Sequence, residues 1–205
     1  MIGVRDAFVV VRHGDRMPLA EASLAPGDAA RLAEEPVAKH PRFLSGRAAL
    51  MLAASRFAGV DPSDPVDLRI DARCPDCGRS HGRPTVTGAP RPVFVSLAHA
   101  GGRAFAVASA VPVGIDTEPV DVPAERRAAV ASAVRDLAPP PVGVDPLAHW
   151  TRIEAVLKAD GRGLRVDPGR VVFKGRGARI DGGEQLYRVR TRRRGGFIVS
   201  VAHAG

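Results

Sequence analysis

The order of candidate elements in this 205-residue chain predicts an α+β fold in two lobes. Three observations carry that expectation. Apolar runs of strand length alternate with helical stretches in the order strand, helix, strands, then strand, helices, strands. The two series meet near residues 103–112, which divides the chain into a first lobe at 1–105 and a second at 106–205. A doubly wound sheet fits this order less well, because strands follow one another without intervening helices. No sequence repeat links the halves.

Residues 4–12 (VRDAFVVVR) are rich in β-branched side chains and end at the turn-like Gly14-Asp15, so they predict a strand. The stretch from Pro18 to Pro36 predicts one short helix with loops. Pro41 opens a second helix, with Phe43, Leu44, Ala48, Leu50, Met51 and Leu52 as its apolar face, and Gly59 and Pro62 end it. From Asp61 to Pro92 the chain reads as loop, with extended pieces at 68–70 and 85–87. Residues 93–97 and 105–109 predict strands joined around Gly101-Gly102, and a third apolar run, 111–115, ends at Asp116. Helices are expected over 124–137 and about 146–159, separated by the prolines at 139–141. The tail from 164 to 202 reads as strands and turns, firmest at 186–189 and 197–201.

Composition narrows the function classes. The chain is 45% hydrophobic and 25% charged, which argues against wholesale disorder. No apolar run reaches the roughly 18–20 residues of a membrane span, and the N-terminus lacks signal-peptide features, so a cytoplasmic protein without membrane attachment is expected. Thirty basic against 22 acidic side chains give a net charge of +8, almost all of it arginine. Such an excess favours an acidic partner or a phosphate-rich ligand. Nucleic acid is disfavoured, because seven Phe, one Tyr and one Trp supply few stacking platforms. The densest basic run, Arg192 to Arg194, reads as a surface turn between two strands or as a contact for a ligand or partner.

Several residues suit chemistry. Asp116 and Glu118 lie two apart in an extended run and therefore point the same way. Glu154 follows on a helix, with Lys158 one turn later on the same face. Three carboxylates so arranged suit Mg²⁺, and a lysine beside them suits phosphate oxygens. The same residues also read as scattered surface carboxylates with a helix salt bridge. His99, expected in a loop before Ala100-Gly101-Gly102, could donate to phosphate or simply serve the structure. Arg47 on the helix from Pro41, and Arg83 in an expected Gly82-Arg83-Pro84 turn, are equally open. Cys74 and Cys77, followed by His81, offer three zinc ligands, with Asp71, Asp76 and His99 as nearest candidates for a fourth. A structural loop with free thiols and a redox pair are the other readings of the cysteines.

Three elements together carry a resemblance. Ser96-Leu97-Ala98-His99-Ala100-Gly101, then Val113-Gly114-Ile115-Asp116-Thr117-Glu118, then Trp150-Thr151-Arg152-Ile153-Glu154-Ala155-Val156-Leu157-Lys158 resemble the 4′-phosphopantetheinyl transferase superfamily in its larger, two-lobed Sfp type. The match runs from about residue 40 to 165. It implies a pseudo-duplicated fold, each lobe a small, mostly antiparallel sheet packed on helices. It implies an enzyme that moves the phosphopantetheine arm of coenzyme A to a serine of an apo acyl or peptidyl carrier protein, releasing adenosine 3′,5′-bisphosphate. Asp116, Glu118 and Glu154 would hold Mg²⁺, with Glu154 also taking the serine proton. Lys158 would meet the pyrophosphate, His99 and Arg47 a phosphate of CoA, and Arg83 the nucleotide. A monomer would suffice, and the segment from Cys74 to His81 resembles an insertion of some members.

The sequence departs from the pattern at Ala98 and Ala100, where serines are common, and at Ile153, where a lysine often precedes the glutamate. Ile153 therefore raises the alternative of a weak or silent member that binds CoA or carrier protein. A second resemblance lies in Arg12-His13-Gly14-Asp15-Arg16-Met17-Pro18, which matches the signature of histidine acid phosphatases with His13 as nucleophile. Those enzymes need a distal His-Asp pair, which this sequence does not contain. A zinc-holding nucleic-acid module is the non-enzyme alternative, and it rests on half a ligand set.

Overall fold

A computed structural model describes residues 6–22, 24–61 and 68–205. Residues 4–5 of the first expected strand, and Pro62 at the expected helix end, lie outside that range. Among the described residues the architecture is α+β, with five α-helices and two five-stranded antiparallel sheets. The chain divides into two units, Met1–Val111 and Pro112–Gly205. Strand Arg103–Ser109 runs across the 105/106 boundary drawn from sequence, so the division follows it.

In the first unit, strand β1 (Ala7–Arg12) is followed by helices α1 (Met17–Ala22), α2 (Pro26–Glu34) and α3 (His40–Ala58). Two helices thus stand where one was expected. Strands β2 (Arg69–Arg73), β3 (Ser80–Thr87), β4 (Phe94–Ala100) and β5 (Arg103–Ser109) complete the unit. The sheet order is β1-β5-β4-β3-β2. Within the stretch expected to be mostly loop, β2 and β3 form a hairpin over residues 69–87 that extends the pieces expected at 68–70 and 85–87. Helix α3 begins with Pro41 in its first turn, where a missing N–H costs nothing. It ends at Gly59, whose φ of 76° only glycine adopts without strain. Leu50, Met51, Ala53 and Ala54 of α3 pack on Val9, Val11, Val95 and Ala106 of the sheet.

The second unit starts with β6 (Val113–Pro119), continues through α4 (Ala124–Leu137) and α5 (Pro146–Asp160), and closes with four strands. These are β7 (Val171–Lys174), β8 (Gly177–Ile180), β9 (Tyr187–Arg194) and β10 (Phe197–Ala204). Their order is β6-β10-β9-β8-β7. Asp145 caps α5 by accepting from the Leu147 N–H at 3.0 Å, and Gly161 closes it in the left-handed region. Arg192 to Arg194 lie in the last part of β9, and the turn is made by Gly195-Gly196, so their expected turn position is corrected. No helix among the described residues is long and apolar enough to cross a membrane.

Candidate functional site

Within the second unit the acidic residues meet. Helix α5 crosses β6 at Gly114, where an added Cβ would lie 2.0 Å from the Ala155 carbonyl oxygen. That contact puts Glu154 and Lys158 beside Asp116. The Lys158 ammonium donates to Asp116 Oδ1 at 2.6 Å and lies 3.9 Å from Glu154 Oε2. Glu118, on the same side of β6 as Asp116, is 3.7 Å from Arg126 of α4. Burial pushes all three carboxyl groups up from their ordinary values. The Asp116 charge adds to the rise of Glu118 and Glu154, while Lys158 opposes it throughout.

The donor set is oxygen only and short of positive charge, which suits a hard divalent cation. Among the described residues the three carboxylates do not bring their oxygens onto one point, since the only trio of ligand atoms within 4.8 Å lies elsewhere. Lys158 instead bridges Asp116 and Glu154. Ile153, next to Glu154 on α5, is fully buried and belongs to the apolar core that includes Val156, Val166, Ile180 and Val189. A lysine there would have to carry its ammonium through apolar surroundings.

In the first unit the basic residues line a cavity of about 480 Å³. Arg31, Lys39, Arg42 and Arg47 come from the helical side, His81 and His99 from the strands. Arg47 is not on a solvated face. Its guanidinium is buried and grips buried Asp28 through two nitrogens, at 2.5 and 2.7 Å, and Ser80 Oγ also donates to Asp28. Arg31 and Arg47 both stack on Phe43, at 5.1 and 4.8 Å from the ring centroid. Asp28 carried no signal in the sequence, because its partners lie 19 and 52 residues away.

His99 lies within β4, correcting its expected loop position. Gly46 of α3 makes room for its ring, for a Cβ there would sit 3.0 Å from His99 Nε2. His99 Nδ1 is 3.3 Å from Nε2 of His13, so the two rings share a hydrogen bond. Burial, and then the Arg42 guanidinium, hold the His13 pKa below the ordinary histidine value. Gly82, Arg83 and Pro84 belong to β3 rather than to a turn. Gly82 and Pro84 line the cavity, and Arg83 is not among its lining residues. His81 and Cys77 approach within 2.9 Å at the end of the β2–β3 hairpin.

A second basic groove, of about 560 Å³, runs beside β9 and is lined by Arg152, Arg176, Arg190 and Arg192. Arg152 stacks on Phe173 at 4.2 Å and donates to the Gly175 carbonyl at 3.0 Å. Compared with protein-family models and with curated proteins, the chain matches none.

Proposed function

We propose that this protein is a phosphopantetheinyl transferase acting on coenzyme A and the serine of an apo carrier protein. The observation that carries the reading is the cluster of Asp116, Glu118, Glu154 and Lys158, three carboxylates and a lysine gathered from a strand and a helix. Its residues are those of the Gly-x-Asp-x-Glu and Trp-x-x-x-Glu-x-x-x-Lys elements on which the resemblance rests. Asp116, Glu118 and Glu154 would hold Mg²⁺, which when bound supplies positive charge to diphosphate oxygens.

The chain's own residues then divide the work. The serine Oγ attacks the β-phosphorus of CoA, the new O–P bond forms, and the bridging P–O bond to adenosine 3′,5′-bisphosphate breaks. Glu154, made more basic by burial, accepts the serine proton. Lys158 pairs with the charge that develops on the 5′-phosphate of the leaving adenosine 3′,5′-bisphosphate. Arg47 and His99 face a cavity whose cationic lining suits CoA phosphates, and Arg83 is assigned to the nucleotide by the resemblance. The groove of Arg152, Arg176, Arg190 and Arg192 suits an acidic carrier protein.

The test is intact-protein mass spectrometry of apo carrier proteins incubated with CoA, Mg²⁺ and this protein. A phosphopantetheine adduct is expected on wild-type carriers, absent when the carrier serine is alanine, and reduced at least about 100-fold in rate by Glu154→Ala. CoA binding without any adduct would instead mark a silent member of the family. Absence of both, with hydrolysis of a phosphomonoester lost in His13→Ala, would favour the phosphatase reading.

A further inference from the structure

The turn between β2 and β3 gathers a different set of donors from those of the acidic cluster. Cys74 follows β2, Pro75 and Asp76 turn the chain, and Cys77 precedes Gly78 at φ 71°. The Gly78 N–H donates to the Cys74 carbonyl at 2.9 Å, and the Cys74 N–H donates to the Arg79 carbonyl at 2.7 Å. The hairpin then resumes with Arg73 opposite Ser80, and His81 comes next. This path folds a Cys-x-x-Cys knuckle back on the histidine. The ligand atoms of Cys74, Cys77 and His81 lie within 4.8 Å of one another, the one such trio among the described residues.

The separations bracket those of a specific chemistry, from 2.9 Å between Cys77 Sγ and His81 Nε2 up to the 4.8 Å that contains the trio. Zinc–sulfur bonds of about 2.3 Å and zinc–nitrogen bonds of about 2.0–2.1 Å, meeting at a tetrahedral angle, separate donors by about 3.5–3.8 Å. Two thiols and an imidazole exclude Mg²⁺ and Ca²⁺, which take oxygen, and they select a borderline-soft ion. The backbone N–H groups of Cys77 and Asp76 point at the Cys74 sulfur. Asp76 Oδ2 is 3.8 Å from that sulfur.

We propose that Cys74, Cys77 and His81 bind one zinc ion, with a water or the Asp76 carboxylate in the fourth position. The ion is structural, and its purpose follows from what the hairpin carries. Ser80 is a partner of Asp28, which holds Arg47, and His81 and Gly82 line the basic cavity. Gly82 crosses so near Arg73 that a Cβ would lie 2.4 Å from its carbonyl oxygen, so the strand leaving the knuckle passes directly against the one entering it. A metal clamp at its tip holds the cavity wall in register. This inference does not rest on the transferase reading, because it concerns the metal content and stability of the chain alone.

The experiment uses the full chain, produced with added zinc, desalted under reducing conditions and analysed by elemental mass spectrometry. One zinc per chain is expected, with at least about a tenfold loss of affinity in Cys77→Ser and in His81→Ala. Both positions are exposed, so neither substitution empties a core site. Replacing zinc by Co²⁺ should give the visible bands of a tetrahedral ion and a thiolate-to-cobalt charge-transfer band. A chelator should lower the melting temperature of the wild type and leave Cys77→Ser unmoved. The proposal is overturned if reduced protein binds neither metal, or if both variants bind as the wild type does. It is equally overturned if Cys74 and Cys77 isolate as a disulfide that, once reduced, takes up no zinc.

Discussion

The sheets β1-β5-β4-β3-β2 and β6-β10-β9-β8-β7 follow one strand order, and in each unit the long helix, α3 or α5, lies in the chain between the first and second strands. They fill that common plan in opposite ways. In the first, the helix gives up its side chain at Gly46 so that His99 of the sheet can approach. In the second, the sheet gives it up at Gly114 so that the helix backbone can approach. The charges differ as well. The buried guanidinium of Arg47 has a buried carboxylate as partner, whereas Asp116, Glu118 and Glu154 share Lys158 and, at the margin, Arg126. A matched buried pair holds a structure in place. An unmatched cluster leaves charge for a ligand to satisfy, which is why perturbed groups gather at functional sites.

The sharpest way to break this comparison is to remove one carboxylate from each unit. Asp28→Ala should lower stability by about 3–5 kcal/mol in urea denaturation, because it strands the Arg47 charge in the interior. Asp116→Asn should change stability by less than about 1 kcal/mol. It removes a burial penalty, and the part-exposed Lys158 keeps Glu154 as a neighbour. Equal losses at the two positions would mean that the acidic cluster is structural too.

Ile153→Lys comes next in size. The variant restores the side chain common in the resembling family, yet this position is fully buried in the second core. A loss of about 3 kcal/mol or more is expected, with no gain in transfer rate. A stable variant with faster transfer would show that Ile153 does face the chemistry. Smaller again are the two glycines. Gly114→Ala meets backbone atoms and should cost about 1–3 kcal/mol or more. The nearest atoms to an alanine Cβ at Gly46 are side-chain atoms of His99 and Leu97, which can shift, so the thermal melt of Gly46→Ala should move less, while on the proposed function its CoA binding should weaken.

How much of this was legible in the sequence depended on whether the signal was local. Helix 124–137 is found as expected, and α5 could be read from Asp145-Pro146 at its start and Gly161 at its end. Asp116 and Glu118 followed from strand alternation, Glu154 and Lys158 from the spacing of one helical turn. Only the end of β3, at 85–87, is legible, because His81-Gly82-Arg83-Pro84 reads as a breaker. Gly82 is there for the close passage of Arg73, and Pro84 is tolerated where β3 meets β4 at Thr85 opposite Phe94 alone. Asp28, Ser80 and His13 join their sites through partners distant in the chain, and no periodicity marks such a residue.

The response of stability to pH in the second unit combines two opposed tendencies. His149 of α5 is buried beside Phe173, with ring centroids 5.6 Å apart, and its Nδ1 lacks a hydrogen-bond partner among the described residues. Burial, and then the Arg152 charge on the same helix, lower its pKa; the Ala138 backbone at the end of α4 acts weakly against them. A depressed histidine favours the fold above its unfolded pKa of about 6.5, and that contribution is lost as pH falls through the folded value. The raised pKa values of Asp116, Glu118 and Glu154 act with the opposite sign, adding stability on acidification through the carboxylate range. Melting temperatures of wild type and His149→Phe, measured between pH 7.5 and 5, separate the two tendencies. The wild type should lose more stability than the variant over this window, because the phenyl ring keeps the packing on Phe173 and has no proton to gain. Parallel curves would mean that His149 charges as readily in the fold as in the unfolded chain, and that its burial carries no electrostatic cost.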